Sequence, residues 1–256
     1  MSSEGQVDQL SDRVLALSGL SKSYGALVVV DQLNLDLADG EALGIIGPNG
    51  AGKTTLFNLI TGAARHDQGE LEFSGRRITG LSMTARCRAG IARSFQVPQP
   101  FTGMTVFENL MVGAEFGASL PAGRAQTKCL EILEQTGLIN RANDRAGQLT
   151  LLERKRLELA RALAAEPKLL LLDEIAGGLT ELECQSLIRT IREIRATGLS
   201  IIWIEHIVHA LIAVVDRLVV LNFGRKIAEG KPDQVLASPE VRKIYLGIED
   251  GIEDNV

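Results

Sequence analysis

The sequence contains few cysteines, and they do not have the spacing of metal ligands. Cys87, Cys129 and Cys184 are also odd in number. A small odd set without ligand spacing is typical of reduced thiols with a structural role. We therefore expect a cytosolic protein whose cysteines stay reduced.

Long hydrophobic runs are missing as well. A membrane-spanning helix needs about 18 apolar residues, whereas the apolar stretch Val208–Val215 is short and is flanked by His206 and Asp216. Met1–Arg13 is polar and does not show the charged and then apolar order of a signal sequence. If the protein works at a membrane, we expect a partner to hold it there.

The sequence has no excess of positive charge. Its net charge is −5, which argues against broad nucleic-acid binding because such proteins usually carry a basic face. The composition is 45% hydrophobic, which favours a substantial core over disorder. A chain of 256 residues suits one α/β domain, or one core with a smaller inserted lobe.

The most informative segment is a glycine-rich loop at residues 47–55, with the sequence Gly-Pro-Asn-Gly-Ala-Gly-Lys-Thr-Thr. Two glycines that bracket four residues and precede Lys and Thr form the phosphate-binding P-loop pattern. In this pattern backbone N–H groups approach the phosphates, the lysine supplies positive charge, and the first threonine can ligate Mg²⁺. A strand-like run before the loop (Glu41–Ile46) and helical periodicity after it (Thr54–Thr61) favour a nucleotide site over a chance turn. The predicted nucleotide-binding residues are Gly47, Asn49, Gly50, Ala51, Gly52, Lys53, Thr54 and Thr55.

Apolar runs alternate with helical patterns in the second half of the chain. Lys168–Leu172, Ser200–Ile204 and Leu218–Asn222 are nearly continuous apolar runs, and Glu181–Thr197 has the pattern of an amphipathic helix. This alternation is typical of a parallel sheet covered on both faces. The sequence therefore predicts an α/β fold with a P-loop NTPase core and a mainly parallel sheet.

Two other regions differ from that alternation. Val14–Leu20, Leu27–Leu37 and the hairpin-like Gly69–Ile78 indicate an N-terminal antiparallel β portion. From Met83 to Leu163 helical patterns dominate without a convincing buried strand, which indicates an inserted helical lobe. We expect a tail at 1–13, an α/β core at 14–82 and 164–247, the lobe at 83–163, and a tail at 248–256.

Two acidic residues, Asp173 and Glu174, end the apolar run that begins at Leu169. A site that hydrolyses a triphosphate needs a carboxylate for the metal and a group that activates water. Asp173 would hold Mg²⁺ through its water shell, and Glu174 would polarise the attacking water. A solvated acidic turn after a strand has the same sequence pattern, but the P-loop upstream favours the catalytic interpretation.

Three further residues are weaker candidates when judged by chemistry alone. His206 follows a predicted strand, so it would lie at the same sheet edge as Asp173 and could bind the γ-phosphate or the water. A histidine at a strand end is also commonly structural. Gln96 lies in a loop from which its amide could reach Mg²⁺, and Tyr24 could either stack on adenine or belong to the core.

Together these motifs resemble the ATP-binding subunits of ABC transporters over nearly the whole chain. The resemblance matches Gly47–Thr54 to the Walker A loop and Leu169–Glu174 to Walker B with its catalytic glutamate. It matches three single residues to the adenine-stacking aromatic, the Q-loop glutamine and the switch histidine, namely Tyr24, Gln96 and His206. It implies a domain of this family at 14–247 that hydrolyses ATP with Mg²⁺. The implied catalytic residues are Glu174, His206 and Lys53, and the implied metal ligands are Thr54, Gln96 and Asp173.

A finer resemblance is to the ATPases of branched-chain amino-acid importers. It rests on Ala89–Gln96, Met104–Leu110 and the ending Ile244–Gly247. It implies a peripheral protein at the cytoplasmic face of the inner (plasma) membrane. The implied partners are transmembrane permease subunits, a second ATPase subunit that is identical or different, and indirectly a substrate-binding protein, with no nucleic acid.

Three alternatives stay open. ATPases of urea or amide importers share these features, and those of lipopolysaccharide or lipid exporters are similarly compact. From another class comes a soluble ABC protein that acts on DNA or ribosomes, or an ATP-gated interaction module. Proteins of that class usually carry coiled-coil or zinc-bearing insertions or two fused ATPase domains, and the sequence shows none of these.

One motif departs from the family pattern. Residues 149–153 read Leu-Thr-Leu-Leu-Glu where the family signature is Leu-Ser-Gly-Gly-Gln. In the family, this segment closes over the ATP that the other subunit holds. Thr150 keeps a hydroxyl, but Leu151 and Leu152 add branched side chains where close backbone approach is needed. Glu153 adds negative charge, which we expect neighbouring basic residues to offset, namely Arg154, Lys155 and Arg156.

The segment after Glu174 departs as well. Gly178–Thr180 reads Gly-Leu-Thr where Gly-Leu-Asn is usual, and Ile175 replaces a common proline. We therefore expect this subunit to hold a competent Walker A site while the site it completes for a partner is altered.

Overall fold

The structure is a computed structural model that describes residues 13–246. The predicted tail at 248–256, all but the last residue of the tail at 1–13, and Gly247 of the family-like ending lie outside the described residues. Within residues 13–246, no helix combines the length and the apolar character needed to cross a bilayer.

The described strands and helices follow the order that the sequence indicates. The strands are β1 (Arg13–Tyr24), β2 (Leu27–Ala38), β3 (Ala42–Ile46), β4 (Gln68–Phe73), β5 (Arg76–Arg77), β6 (Ile91–Ser94), β7 (Leu169–Asp173), β8 (Ser200–Ile204), β9 (Arg217–Asn222) and β10 (Arg225–Gly230). The α-helices are α1 (Lys53–Thr61), α2 (Met83–Ala89), α3 (Val106–Val112), α4 (Ala122–Gln135), α5 (Leu151–Ala164), α6 (Glu181–Arg195), α7 (Val208–Ile212), α8 (Pro232–Ala237) and α9 (Pro239–Leu246).

The strands form two sheets. The larger has the order β10-β9-β3-β8-β7-β6, and all its pairs are parallel except β9 with β10. The smaller is antiparallel and has the order β2-β1-β4-β5. Both the mainly parallel sheet and the N-terminal antiparallel portion are confirmed. Because β3, β7 and β8 run in the same direction, the residues that follow them lie at one edge of the sheet.

Successive residues of the central strands face two different cores. Leu170 and Leu172 point to the core formed with the helices between α3 and α6, whereas Leu169 and Leu171 point to the core formed with α1 and the antiparallel sheet. This period-two alternation is what a strand imposes when both faces are covered. It explains why the run contains no polar residue before Asp173.

One expectation about the region 83–163 was wrong. Residues 91–94 form the buried edge strand β6, which pairs in parallel with β7, although the sequence indicated helices without a strand here. The strand is only four residues long, and Arg93 and Ser94 interrupt its apolar character. Pairing with β7 stabilises it, and local sequence does not show such a long-range contact.

Three helices within residues 13–246 begin with the same Thr-x-x-Glu pattern. In each, the threonine hydroxyl accepts the N–H of the glutamate, while the glutamate carboxylate accepts the N–H of the threonine. This reciprocal capping box satisfies two backbone donors that a helix start would otherwise leave unpaired. The three pairs are Thr105 with Glu108, Thr150 with Glu153, and Thr180 with Glu183.

Candidate functional site

The glycine-rich loop connects β3 to α1, as predicted, and two of its glycines cannot be replaced without a clash. A Cβ at Gly47 would lie 2.2 Å from the carbonyl oxygen of Leu221. Gly52 has φ 96°, and a Cβ there would lie 2.4 Å from the carbonyl oxygen of Val29. The loop is therefore pressed against β9 and β2, and only glycine permits this approach.

A small open cavity of about 180 Å³ lies over this loop. Its lining brings together most of the predicted nucleotide-binding residues with the predicted catalytic glutamate: Asn49, Gly50, Ala51, Gly52, Lys53, Thr54, Thr55 and Glu174, together with Val29. Backbone N–H groups at the start of a helix form an anion site. The arrangement therefore fits the phosphates of a nucleotide.

Lys53 is buried, with 6% of its surface exposed. Its ammonium donates hydrogen bonds to the carbonyl oxygens of Gly47 (2.7 Å) and Pro48 (3.0 Å). Burial lowers the pKa of Lys53, and the nearby carboxylates of Glu174 and Asp173 oppose this shift. The loop thus carries a fixed positive charge beside its backbone donors.

Asp173 lies at the end of β7 and forms a buried ion pair that the sequence did not indicate. Nη2 of Arg93 lies 2.5 Å from Oδ2 of Asp173, and Nη1 of Arg93 donates to Asn58 (2.7 Å). The Arg93 and Asp173 side chains are 8% and 5% exposed. The guanidinium also lies over the rings of Phe57 and Phe95. The charged Arg93, which directly follows the apolar residues Ile91 and Ala92, is the sequence signal that could have indicated this partner.

Glu174 has a left-handed backbone, with φ 45°. Such a conformation is strained for a residue other than glycine and is often retained at functional sites. Its Oε2 accepts a hydrogen bond from Nε2 of Gln96 (2.5 Å), and its Oε1 lies 2.8 Å from Nε2 of His206. The structure therefore brings the predicted catalytic glutamate, Q-loop glutamine and switch histidine into direct contact.

Glu205, which was not among the predicted site residues, supports the contact between Glu174 and His206. Its side chain is buried and accepts hydrogen bonds from the backbone N–H groups of Ala176 (2.7 Å) and His206 (2.9 Å). Burial raises the pKa of its carboxyl group, although these hydrogen bonds act in the opposite direction. Glu205 thus ties the segment after Glu174 to the segment that carries His206.

Tyr24 lies at the end of β1, where 52% of its surface is exposed and Lys22 lies over its ring. It is therefore not a core residue. It does not line the cavity, but β1 pairs with β2, whose Val29 does.

The departing signature segment forms the N-terminus of α5. Thr150 is the N-cap, and 44% of the surface of Leu151 is exposed. The charge of Glu153 is offset, but not by the residues expected from the sequence: one carboxylate oxygen accepts the N–H of Thr150 and the other pairs with Arg141. Burial alone would raise the pKa of Glu153, but these contacts lower it overall.

The basic residues expected to offset Glu153 point elsewhere. Arg154 donates to the carbonyl oxygen of Leu149, and Arg156 donates to Ser186. Lys155 is buried and reaches Gln96 and Glu174 instead. That expectation was wrong because the side chains of consecutive helical residues point in different directions.

At the second segment that departs from the family pattern, Gly178–Thr180, the structure explains why threonine can replace asparagine. Thr180 is the N-cap of α6, a role that asparagine and aspartate also perform. Gly178 has φ 80°, and a Cβ on it would lie 3.4 Å from a methyl group of Leu151, so the two departing segments lie side by side.

Comparisons with known proteins agree with this geometry. Residues 30–177 match the family described as ABC transporter, and residues 225–251 match the family described as branched-chain amino acid ATP-binding cassette transporter. A solved nucleotide-free ATP-binding cassette from an ABC transporter has a TM-score of 0.84 and 31% identity, over 92% of this chain and 100% of that one.

Relatives of known name are similar over almost their full length. The high-affinity branched-chain amino acid transport ATP-binding proteins LivG of Salmonella typhimurium and BraF of Pseudomonas aeruginosa are each 36% identical, over 93% of this chain and 99% of their own. The lipopolysaccharide export system ATP-binding protein LptB of Haemophilus influenzae is 37% identical, over 91% of this chain and 97% of its own. The chain therefore belongs to the ABC transporter family, as one of its ATP-binding and ATP-hydrolysing subunits.

Proposed function

We propose that this subunit energises an importer of branched-chain or other hydrophobic amino acids. The match of residues 225–251 to the branched-chain amino acid family carries the substrate class, because the ATPase motifs alone are common to importers and exporters. The names of LivG and BraF support the same class.

In the proposed reaction, Glu174 orients and polarises the water that attacks the γ-phosphate. Its carboxylate is held from two sides by Gln96 and His206, so its direction is fixed before the water arrives. The P-loop N–H groups and Lys53 stabilise the negative charge on the phosphates. The new bond joins the water oxygen to the γ-phosphorus, while the bond from that phosphorus to the bridging oxygen breaks.

Three side chains fit a role in holding Mg²⁺, which when bound would neutralise charge on the β- and γ-phosphates. Thr54 lines the cavity and is exposed there. The ion pair with Arg93 uses Oδ2 of Asp173, and the bond to Glu174 uses the amide nitrogen of Gln96. Oδ1 of Asp173, acting through a water molecule, and the amide oxygen of Gln96 would then hold Mg²⁺, which prefers oxygen ligands.

A groove beside the loop that carries Gln96 is the proposed docking site for a permease subunit. It has a volume of about 430 Å³ and is lined by exposed apolar side chains, among them Met83, Phe95 and Phe116. Val97 and Phe101 are exposed in the adjoining loop. Aromatic and methionine side chains are enriched at protein interfaces. Bound in this way, the subunit would be peripheral at the cytoplasmic face of the membrane, and a substrate-binding protein would reach it only through the permease.

The proposed second ATPase subunit is one with an ordinary glycine-containing signature. Leu151 and Leu152 would obstruct close approach to a nucleotide on the facing subunit, whereas this chain's own P-loop is intact. Light scattering on the Glu174→Gln chain in ATP tests this pairing. A monomer that still binds ATP would support it, and an ATP-dependent homodimer would contradict it. Changing residues 150–152 to Ser-Gly-Gly should then permit the homodimer.

Uptake measurements test the transport function. Deletion of the gene in its source organism should abolish ATP-dependent uptake of labelled leucine, isoleucine and valine, and wild-type protein should restore it while Glu174→Gln should not. Unchanged uptake with lipopolysaccharide missing from the outer membrane would instead support the exporter function that the relative LptB suggests. Failure to co-purify with any membrane protein would support a soluble ATPase.

A further inference from the structure

Helix α5 presents three charged side chains to the Q-loop, which we define as residues 95–101. They are spaced three residues apart, so they lie along one side of the helix. Two are almost completely buried and the third is half-buried: Lys155, Glu158 and Arg161. We refer to these three side chains as the α5 charged row.

Lys155 connects this helix to both parts of the catalytic contact. It is 3% exposed, and its ammonium donates a hydrogen bond of 2.6 Å to the carbonyl oxygen of Gln96. The same ammonium lies 3.4 Å from the carbonyl oxygen of Glu174. Lys155 therefore binds the backbone carbonyl groups of Gln96 and Glu174, and the side chains of these two residues also bind each other.

Glu158 and Arg161 hold the rest of the loop. The carboxylate of Glu158 is buried near the backbone of Phe95 and Gln99, which opposes the rise in its pKa that burial causes. Arg161 donates to the carbonyl oxygen of Gln99 (2.9 Å), pairs with Glu158 (3.3 Å) and lies over the ring of Phe101. The loop is thus fixed at its start, middle and end by one helix.

Buried charges of this kind are costly, and apolar residues of similar volume would pack at least as well. The α5 charged row is therefore better explained by the position in which it holds the Q-loop than by a contribution to the stability of the fold. Because α5 is a continuous helix of 14 residues that begins at the signature segment, a displacement of that segment moves the whole row. The row then displaces the backbone of Gln96 and Glu174 with it.

We propose that Lys155 is a positioning residue for ATP hydrolysis, which aligns Gln96 with Glu174 and transmits the position of α5 to that pair. The proposal rests on the role proposed above for Glu174. It differs from that role because Lys155 acts through backbone carbonyl groups and not on the substrate.

The test compares Lys155→Met with Lys155→Arg in the full-length chain, each variant purified together with the subunits that bind it. Lys155→Met removes the donor, so kcat for ATP hydrolysis should fall about tenfold or more, while the affinity for a fluorescent ATP analogue stays within about twofold of wild type because the P-loop is unchanged. Lys155→Arg keeps a donor and should recover most of the lost kcat. Lys128→Met, on the surface of α4, is the matched control and should leave kcat unchanged.

Hydrogen exchange adds a readout of the loop itself. In Lys155→Met, amides of residues 95–101 should exchange faster than in wild type, whereas those of α6 should not change. Wild-type kcat in Lys155→Met, or an equal loss of kcat in Lys155→Arg, would overturn the proposal. Glu174→Gln is measured in parallel. If that variant keeps full turnover, the catalytic role proposed for Glu174 fails; if it loses turnover while Lys155→Met does not, only the positioning role fails.

Discussion

The buried ion pair between Arg93 and Asp173 gives the sharpest prediction about stability. Both side chains are less than one-tenth exposed, and their closest nitrogen and oxygen atoms are 2.5 Å apart. Replacing Arg93 by methionine keeps the apolar contacts with Phe57 and Phe95 but leaves the carboxylate of Asp173 buried without its partner. Removing one member of a buried pair costs about 3–5 kcal/mol. Lys53, whose ammonium interacts with Asp173, compensates only part of this cost.

Urea unfolding of four proteins measures the effect: wild type, Arg93→Met, Asp173→Asn, and the double variant. Because the second substitution removes the charge that the first leaves unpaired, the double variant should be more stable than the two single losses predict, by about 2 kcal/mol or more. The control is Arg225→Met, which breaks the exposed pair with Asp31 (2.6 Å) and should cost less than about 1 kcal/mol. A loss below about 1 kcal/mol in Arg93→Met, or strictly additive effects in the double variant, would refute the reasoning.

Three other predictions concern the P-loop, a buried carboxyl group and a helix start. Gly52→Ala should abolish binding of a fluorescent ATP analogue, since its Cβ would lie 2.4 Å from a backbone oxygen of Val29, whereas Gly80→Ala, with open space around it, should bind normally. Burial raises the pKa of Glu205 above 4.5, so its contribution to stability is greatest below pH 4.5 and declines as the pH rises through the folded-state pKa. In urea unfolding measured at a series of pH values from 4.5 upward, the free energy of unfolding of Glu205→Gln should fall less with pH than that of wild type. An unchanged pH profile would contradict this. Thr180→Ala removes the N-cap of α6 and should lower the free energy of unfolding by about 1 kcal/mol; no change would show that the cap is not needed.

The sequence predicted most of the fold because each element has a strong local signal. The strand Ser200–Ile204 was predicted with its observed bounds, and the P-loop, whose glycines meet backbone oxygens, was recognisable from spacing alone. The strand at 91–94 was missed because pairing with β7 determines it. Local patterns carry no information about such a partner that is distant in sequence.

The sequence led us to propose the reacting groups of the candidate site, but it did not indicate the residues that support them. Glu174, Gln96 and His206 were proposed one by one, and the structure places their side chains in contact. Arg93 and Lys155 were not assigned these contacts, because their partners come from elements far away in the sequence. The partner of Glu153 was misjudged, since its pairing with Arg141 depends on the folded helix start.

ATP turnover of wild type and Glu174→Gln, measured together with ATP binding, tests the central claim most directly. Both proteins are purified together with the subunits that bind them, and we expect the wild-type complex to hydrolyse ATP. Glu174→Gln should bind a fluorescent ATP analogue equally well but turn over about a hundredfold more slowly, because it lacks the carboxylate that polarises water. Equal turnover in the two proteins would contradict the catalytic role that this account gives to Glu174.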